Sequence, residues 1–358
     1  MINVLNPLFE ARINTFIYKF RFLGLYIAIG FISLLLEFFL RPYFIKMGFN
    51  HFFSTLISIL LGILFAFWAN VKYNFNIPPS GRNRALKLFV IISIFSGFVQ
   101  LILKKILTID YLTYEQSRLL ISSIFFLIGY GLHRKYSFRD FKKVGVAVYA
   151  NGVENISRIH KMIGHYPDFI HVDIIDKTMS EKAEDVKTYR LETMKAFWPS
   201  LQVQTHIMSR KPSKWLNDIL LDSDVVFVHV ESDEDVIYLL NKIKQNGKKA
   251  GLALTMSTKI NDVLKFIKIA DYVLLLTIQK PGSSGQSFDM NGWEKIKEIN
   301  DLSFRKQFVL CVDGGMNENL VSSIEAECIV SGSSVFNSLD PKKQIMRLQT
   351  VGRYHVSE

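Results

Sequence analysis

Four side chains able to hold a metal or carry a proton stand at the ends of short apolar runs in the second half of this sequence. They are His171 and Asp173 in His171-Val-Asp173, His206 in His206-Ile-Met208, and Asp313 in Asp313-Gly-Gly315. His171 and Asp173 are two residues apart, so on a strand both point to the same face. Two imidazoles and two carboxylates brought together suit one divalent cation such as zinc, iron(II) or manganese. Packing alone would call for apolar side chains at such places. A further pair of the same kind, His229-Val-Glu231, ends another run.

Glycine-rich turns follow three of the later runs. Pro281-Gly282-Ser-Ser284-Gly285-Gln286-Ser-Phe288 is the longest; Gly314-Gly315 and Gly332-Ser333-Ser334 are the others. Glycines let backbone N–H groups close around an anion, and the start of a helix favours negative charge. Together the three turns predict a phosphate site.

The elements that must position these residues are short β-rich runs alternating with amphipathic helical stretches. The runs are Val144–Tyr149, Phe169–Ile174, Leu201–Met208, Val225–Val230, Lys249–Leu254, Tyr272–Leu276, Phe308–Val312 and Cys328–Ser331. Eight strand–helix units predict a parallel sheet closed into an α/β TIM (β/α)8 barrel, in which chemistry sits at the C-terminal strand ends. The sequence's two cysteines, Cys311 and Cys328, form no CxxC or Cys/His cluster and read as reduced thiols rather than a zinc knuckle or disulfide framework.

The first part of the chain is of another kind. The chain has 358 residues and is 49% hydrophobic, but the apolar residues concentrate between Phe22 and Leu132. Four segments, Phe22–Leu40, Phe52–Asn70, Leu88–Leu103 and Leu119–Leu132, approach the roughly 20 apolar residues that span a bilayer. The fourth needs Tyr114–Ser117 or the residues to Tyr136 to complete it. The first lacks a cleavage site and is followed by further spans, so it reads as a span and not as a signal peptide. Residues 1–20 mix Leu5, Phe9, Ile13, Phe16 and Ile17 with Arg12 and Lys19, as an interfacial amphipathic helix would. The expected domains are therefore residues 1–20 at the interface, an all-α transmembrane domain of four helices over 21–140, and the barrel over 144–358.

Net charge is +11, and much of the excess flanks the apolar segments, where Lys and Arg set topology and meet anionic lipid. No nucleic-acid motif is present, and none is expected as a partner. The bias of positive charge places both termini, and the barrel, on the cytoplasmic side. Asn70-Val-Lys-Tyr-Asn-Phe75 and His133-Arg-Lys-Tyr-Ser-Phe138 repeat one pattern at the ends of the second and fourth segments, which suggests two helical hairpins in tandem. Glu37, Asn70 and Gln100 are the polar candidates within the spans. They predict either a groove for a sugar or phosphate headgroup or hydrogen bonds between helices.

With these residues the membrane half, over about residues 15–140, resembles the GtrA-like family of small four-span proteins. That resemblance implies a bacterial inner-membrane location and a part in binding or moving polyprenyl-phosphate-linked sugars for cell-surface polysaccharide. The second half resembles ribulose-phosphate 3-epimerase from Val144 to Leu348. The matching pieces are His171-Val-Asp-Ile-Ile-Asp176, His206-Ile-Met208, His229-Val-Glu231, the Pro281–Phe288 loop, Val312-Asp-Gly-Gly-Met316 and Val330-Ser-Gly-Ser-Ser-Val-Phe336.

This second resemblance implies a metal-dependent 1,1-proton transfer on a phosphorylated ketose. His171, Asp173, His206 and Asp313 would be the ligands of one divalent ion that stabilises the enediolate. Asp173 and Asp313 would be the catalytic acids on opposite faces of C3. Met208, His229, Gly282, Ser284, Gly285, Gln286, Gly314, Gly315, Gly332 and Ser333 would meet substrate and phosphate. The family's Pro-Ser-x-Leu at the first strand is absent from Gly145-Val-Ala-Val-Tyr149. Its Met-Asp-Gly becomes Ile175-Asp176-Lys177, and Leu276 stands where a methionine is usual. Conserved proton-transfer groups inside a changed shell imply epimerase chemistry on a ribulose 5-phosphate-type ketose or a different one. The competing expectation is a lipid-linked-sugar flippase or binding protein whose barrel is a non-catalytic sensor or scaffold. Both resemblances imply a homo-oligomer.

Overall fold

A computed structural model of the chain describes residues 6–352 other than 78, 107–112, 139–140, 153, 182 and 283–284. It divides into two compact units, one over Ile17–Phe141 and one over Lys142–Val351 joined by the N-terminal residues up to Phe16.

The first unit is helical: after the end of α1 (Pro7–Lys19), most of which falls to the other unit, come α2 (Arg21–Lys46), α3 (His51–Ala69), α4 (Pro79–Ile106) and α5 (Tyr114–Leu132). Asn50 caps α3 by accepting from Phe53 N, and Thr113 with Gln116 forms a capping box at the start of α5. Among the described residues three helical stretches are long and apolar enough to cross a bilayer: Pro7–Lys46, His51–Asn74 and Gly81–Gln100. The third begins earlier than the apolar run suggests, so Arg82, Arg84 and Lys87 lie on the first turns of α4 and not in a loop. Long basic stems let a helix continue through the interface while their charges reach water. The fourth expected segment is helical from Tyr114, as its length required, but is not among those three stretches.

The outer surface of this unit is apolar: Phe31, Phe39, Leu64, Ile91, Phe95 and Ile124 are exposed. Its buried positions include Glu37, Ser54, Ser58, Asn70, Asn74, His133 and Ser137. Polar inside and apolar outside is the arrangement lipid demands. Small residues let the helices approach closely. Ser33 Oγ donates to Gly62 O at 2.7 Å between α2 and α3, and a Cβ on Gly30 would stand 2.6 Å from the Phe126 ring.

The repeated hexapeptides fold alike. Asn70–Asn74 and His133–Ser137 each form one π-helical turn, continuing α3 and α5. In each, the N–H of the closing phenylalanine donates to the carbonyl five residues back, Phe75 to Asn70 and Phe138 to His133, both at 2.8 Å. An i,i+4 polar pair stands inside each turn: Asn74 Nδ2 donates to Asn70 Oδ1 at 2.9 Å, and His133 Nδ1 lies 3.0 Å from Ser137 Oγ. Asn74 Nδ2 also donates to Phe22 O at 3.1 Å, and Phe89 stacks on His133 with centroids 4.1 Å apart. The insertion of one residue per turn is what brings these side chains inward.

The second unit is a closed parallel barrel in sequential order: β1 (Lys143–Tyr149), β2 (Phe169–Ile175), β3 (Gln202–Met208), β4 (Val225–His229), β5 (Lys249–Leu254), β6 (Tyr272–Leu276), β7 (Val309–Asp313) and β8 (Cys328–Ser331). Alternation sorts the side chains. Ile170, Val172 and Ile174 of β2 join Val203 and Ile207 of β3 in the layer under the helices. Phe169, Phe227, Leu274, Cys311 and Cys328 fill the barrel itself. Glycines make room there. A Cβ on Gly145 would lie 2.0 Å from the Phe169 ring, and one on Gly251 2.3 Å from the Phe227 ring. Both cysteines are buried free thiols.

Candidate metal and phosphate site

Above the phenylalanine plug, the inward positions turn polar. On β2 they are His171 and Asp173, on β3 Gln204 and His206, and on β7 Asp313. Register sets Asp173 level with His206, and Asp313 level with Leu276 of β6. One ligand atom from each of His171, Asp173, His206 and Asp313 lies within 4.8 Å of all the others. The predicted quartet is thus brought to one point by three strands.

The donor set fits a divalent ion. His171 is wholly buried and neither of its ring nitrogens has a hydrogen-bond partner. An unpaired buried imidazole is costly, and a cation would take that lone pair. His171 Nε2 is 3.5 Å from Asp173 Oδ1, and the same oxygen is 3.0 Å from His206 Nδ1. Two carboxylates and two imidazoles in one buried cluster give nitrogen and oxygen ligands for zinc, iron or manganese.

The two acids differ in their electrostatics. Burial opposes ionisation of Asp173, but the His171 and His206 imidazoles beside it prevail and hold it well below the usual carboxylate range. Asp313 lies in the mouth, removed from bulk water and facing the Asp173 charge, and is pushed up to about 7. Burial lowers His206 to about 4, against the pull of Asp173, so its ring is neutral at pH 7. A carboxylate paired with a carboxylic acid is the arrangement proton transfer uses.

A cleft opens over the quartet. Asp173, Met208, Gly282, Gly285, Gln286, Asp313, Gly314, Gly315, Gly332 and Ser333 all line it, so these expected residues do meet at one site. Gly282, Gly285, Gly314 and Gly315 have positive φ, and a Cβ on Gly315 would lie 2.4 Å from Phe288 N. Gln286 braces its loop: Lys280 N donates to Gln286 Oε1 at 3.1 Å, and Gln286 Nε2 donates to Lys280 O at 2.6 Å.

Other expected residues lie elsewhere. His229 does not line the cleft; it stands wholly buried behind His206, its Nε2 2.9 Å from His206 Nε2. Ser284 is outside the described residues. Glu37 and Asn70 are buried in the helical unit, and Gln100 there donates to Ser96 Oγ on its own helix at 3.0 Å. Sequence reasoning missed Ala147, Tyr149 and Ile278, which line the cleft. Ala147 and Tyr149 are the inward positions of β1, a signal visible in the alternation of that run. Glu231, Thr255 and Thr258 were also missed as a cluster. Thr255 Oγ1 donates to Glu231 Oε1 at 2.9 Å, and Thr258 Oγ1 donates to the same oxygen. The loop after β2 is fixed by Asp176, which accepts from Ser209 Oγ at 2.6 Å and Trp215 Nε1 at 3.0 Å.

Residues 146–336 match the ribulose-phosphate 3-epimerase family, and residues 25–138 match the GtrA/DPMS transmembrane domain. The barrel is similar to the ribulose-phosphate 3-epimerase of Chlamydia pneumoniae, 31% identical over 194 residues that make up 51% of this chain and 82% of the relative. The enzyme of Bacillus subtilis (strain 168) is 29% identical over 51% of this chain and 86% of its own. That of Aquifex aeolicus (strain VF5) is 28% identical over 42% and 71%.

Proposed function

Because the chain belongs to the ribulose-phosphate 3-epimerase family through its barrel, and carries a GtrA/DPMS transmembrane domain ahead of it, we propose that it is a membrane-held epimerase. Its substrate is a phosphorylated ketose of the ribulose 5-phosphate to xylulose 5-phosphate type. The observation that carries this reading is the pair Asp173 and Asp313. They are two carboxyl groups from β2 and β7, with β1 and β8 between them, and they differ in their hold on a proton.

His171, Asp173, His206 and Asp313 would hold one divalent ion, whose Lewis acidity would polarise the substrate carbonyl and acidify the adjacent C3–H. One of the two aspartates takes the C3 proton and the other delivers one to the opposite face, inverting the centre. Met208 closes the cleft over the reacting carbons with a soft apolar surface. The backbone N–H groups near Gly282, Gly285, Gly314, Gly315 and Gly332 hold the phosphate. The β1 wall, Ala147 and Tyr149, lacks the serine of the family's Pro-Ser-x-Leu pattern, which favours a ketose other than ribulose 5-phosphate itself.

In the membrane unit, α5 with its π-turn reaches from Tyr114 to Ser137, and the 19 residues of α5 alone rise about 28 Å. We read it as a fourth span, giving both termini and the barrel a cytoplasmic place beside the basic flanks. The unit then binds or moves a polyprenyl-phosphate-linked sugar, and the barrel supplies or senses the matching sugar phosphate.

The full chain in detergent with Mn²⁺ should exchange the C3 proton of at least one member of a panel of phosphoketoses with solvent deuterium. Chelation or Asp173→Asn should abolish the exchange. Sugar-phosphate binding without any exchange across the panel would replace this reading with that of a non-catalytic sensor.

A further inference from the structure

A single file of close polar contacts leaves the quartet through the barrel wall. Asp173 Oδ1 is 3.0 Å from His206 Nδ1; His206 Nε2 is 2.9 Å from His229 Nε2; His229 Nδ1 is 3.0 Å from Glu231 Oε2. The other Glu231 oxygen accepts from Thr255 N at 3.2 Å, from Thr255 Oγ1 at 2.9 Å and from Thr258 Oγ1. His206 and His229 are wholly buried, whereas the Glu231 side chain is 30% exposed. The file crosses β2, β3 and β4 and ends in the loop after β5.

Two neutral rings carry two protons for the three links, so one link must lack a proton, and at the quartet a bound cation would stand in its place. Glu231, fully engaged as an acceptor, must receive His229 Nδ1–H. His229 Nε2 then carries a lone pair and must receive His206 Nε2–H. His206 Nδ1 is left with its lone pair aimed into the quartet. Two neutral imidazoles in series thus transmit the charge of one carboxylate to one ligand nitrogen. A histidine that donates its distal N–H to a partner is fixed in tautomer and orientation and is a better ligand.

We propose that His229 and Glu231 are positioning residues for the metal centre, fixing His206 as an Nδ1 ligand through a two-imidazole relay anchored by Thr255 and Thr258. This rests on reading the quartet as a metal site, and it takes His229 out of the substrate-binding group.

The test is Co²⁺ binding to the full chain in detergent, by equilibrium dialysis and visible d–d absorption, without any substrate. Relay partners of this kind are worth about 10- to 100-fold in metal affinity. His229→Phe and Glu231→Leu should each weaken Co²⁺ by that factor. Glu231→Gln, which keeps shape and an acceptor but loses the charge, should fall between them and wild type. His171→Ala serves as the direct-ligand control. If wild type and His171→Ala bind Co²⁺ equally poorly, the metal-site reading itself fails. If His171→Ala loses Co²⁺ while Glu231→Gln and Glu231→Leu both keep wild-type affinity and spectrum, the relay is refuted. Thermal midpoints of the metal-free variants separate the two roles: a purely packing role lowers the midpoint and leaves the Co²⁺ affinity of the folded protein unchanged. Should His229→Phe not fold, the Glu231 pair decides, because that side chain is partly exposed.

Discussion

The rings of Phe75 and Phe138 stack with centroids 4.3 Å apart and planes 27° apart, joining the last residues of two sequence repeats at one buried contact. Each ring follows a π-turn of the same backbone form, and each is almost wholly buried. The contact is therefore a pseudo-symmetric seam between the two helical hairpins, formed by like residues of each.

Phe138→Ala and Phe75→Ala should consequently cost similar amounts, about 3 kcal/mol each, the scale of a buried aromatic truncation. The double variant should cost less than the sum, since the two share one contact. Denaturation midpoints of the full chain in detergent measure this. A large cost for one ring and none for the other would remove the symmetry argument.

His171 is buried with two unpartnered nitrogens, a penalty on the order of 1–3 kcal/mol in the metal-free protein. His171→Leu should therefore melt no lower than wild type when metal is chelated. Adding Mn²⁺ at about 100 times its Kd should raise wild-type stability by about 2.7 kcal/mol and leave the variant unmoved. A variant that melts much lower without metal would show that His171 is held by the protein alone.

Lys142 is buried, its ammonium donating to Val321 O. Burial pushes it down to about 7 from 10.5, the Glu325 charge pulling partly back. Between these values the unfolded chain keeps a proton that the folded chain lacks. Stability from this group therefore rises as pH climbs from about 7 and is complete above 10.5. The slope is at most about 1.4 kcal/mol per pH unit. Lys142→Met should flatten that part of the curve relative to wild type. Parallel curves for the two proteins from pH 7 to 10 would count against it.

Gly315 has φ +68° and no room for a Cβ against Phe288 N. Gly315→Ala must shift the backbone of the Pro281–Phe288 loop, so KM for the phosphoketose should rise about tenfold or more, with a smaller change in kcat. An unphosphorylated ketose, turned over weakly, should be affected less. Equal losses on both substrates would locate the damage in the reacting centre instead.

Much of this was legible in the chain. Every barrel strand lies within one residue of its apolar run, because period-two alternation and β-branched composition are local properties. The spacing His171-x-Asp173 put two candidate ligands on one face by the same rule. The apolar block from Phe22 to Leu132 gave a membrane domain from composition alone. The chain could not fix the ends of α4, where basic residues can sit in a loop or on a helix, nor the π-turns. A π-turn differs from an α-turn by one residue of slack, and the packing of Phe75 on Phe138 and of Asn74 on the Phe22 carbonyl decides between them. Nor could it place His229 behind His206. That depends on the register of β3 against β4 and on how far each imidazole reaches across the barrel. Local sequence determined which residues face inward; only closure of the eight strands decided which inward residues meet in the quartet, which line the cleft, and which touch one another.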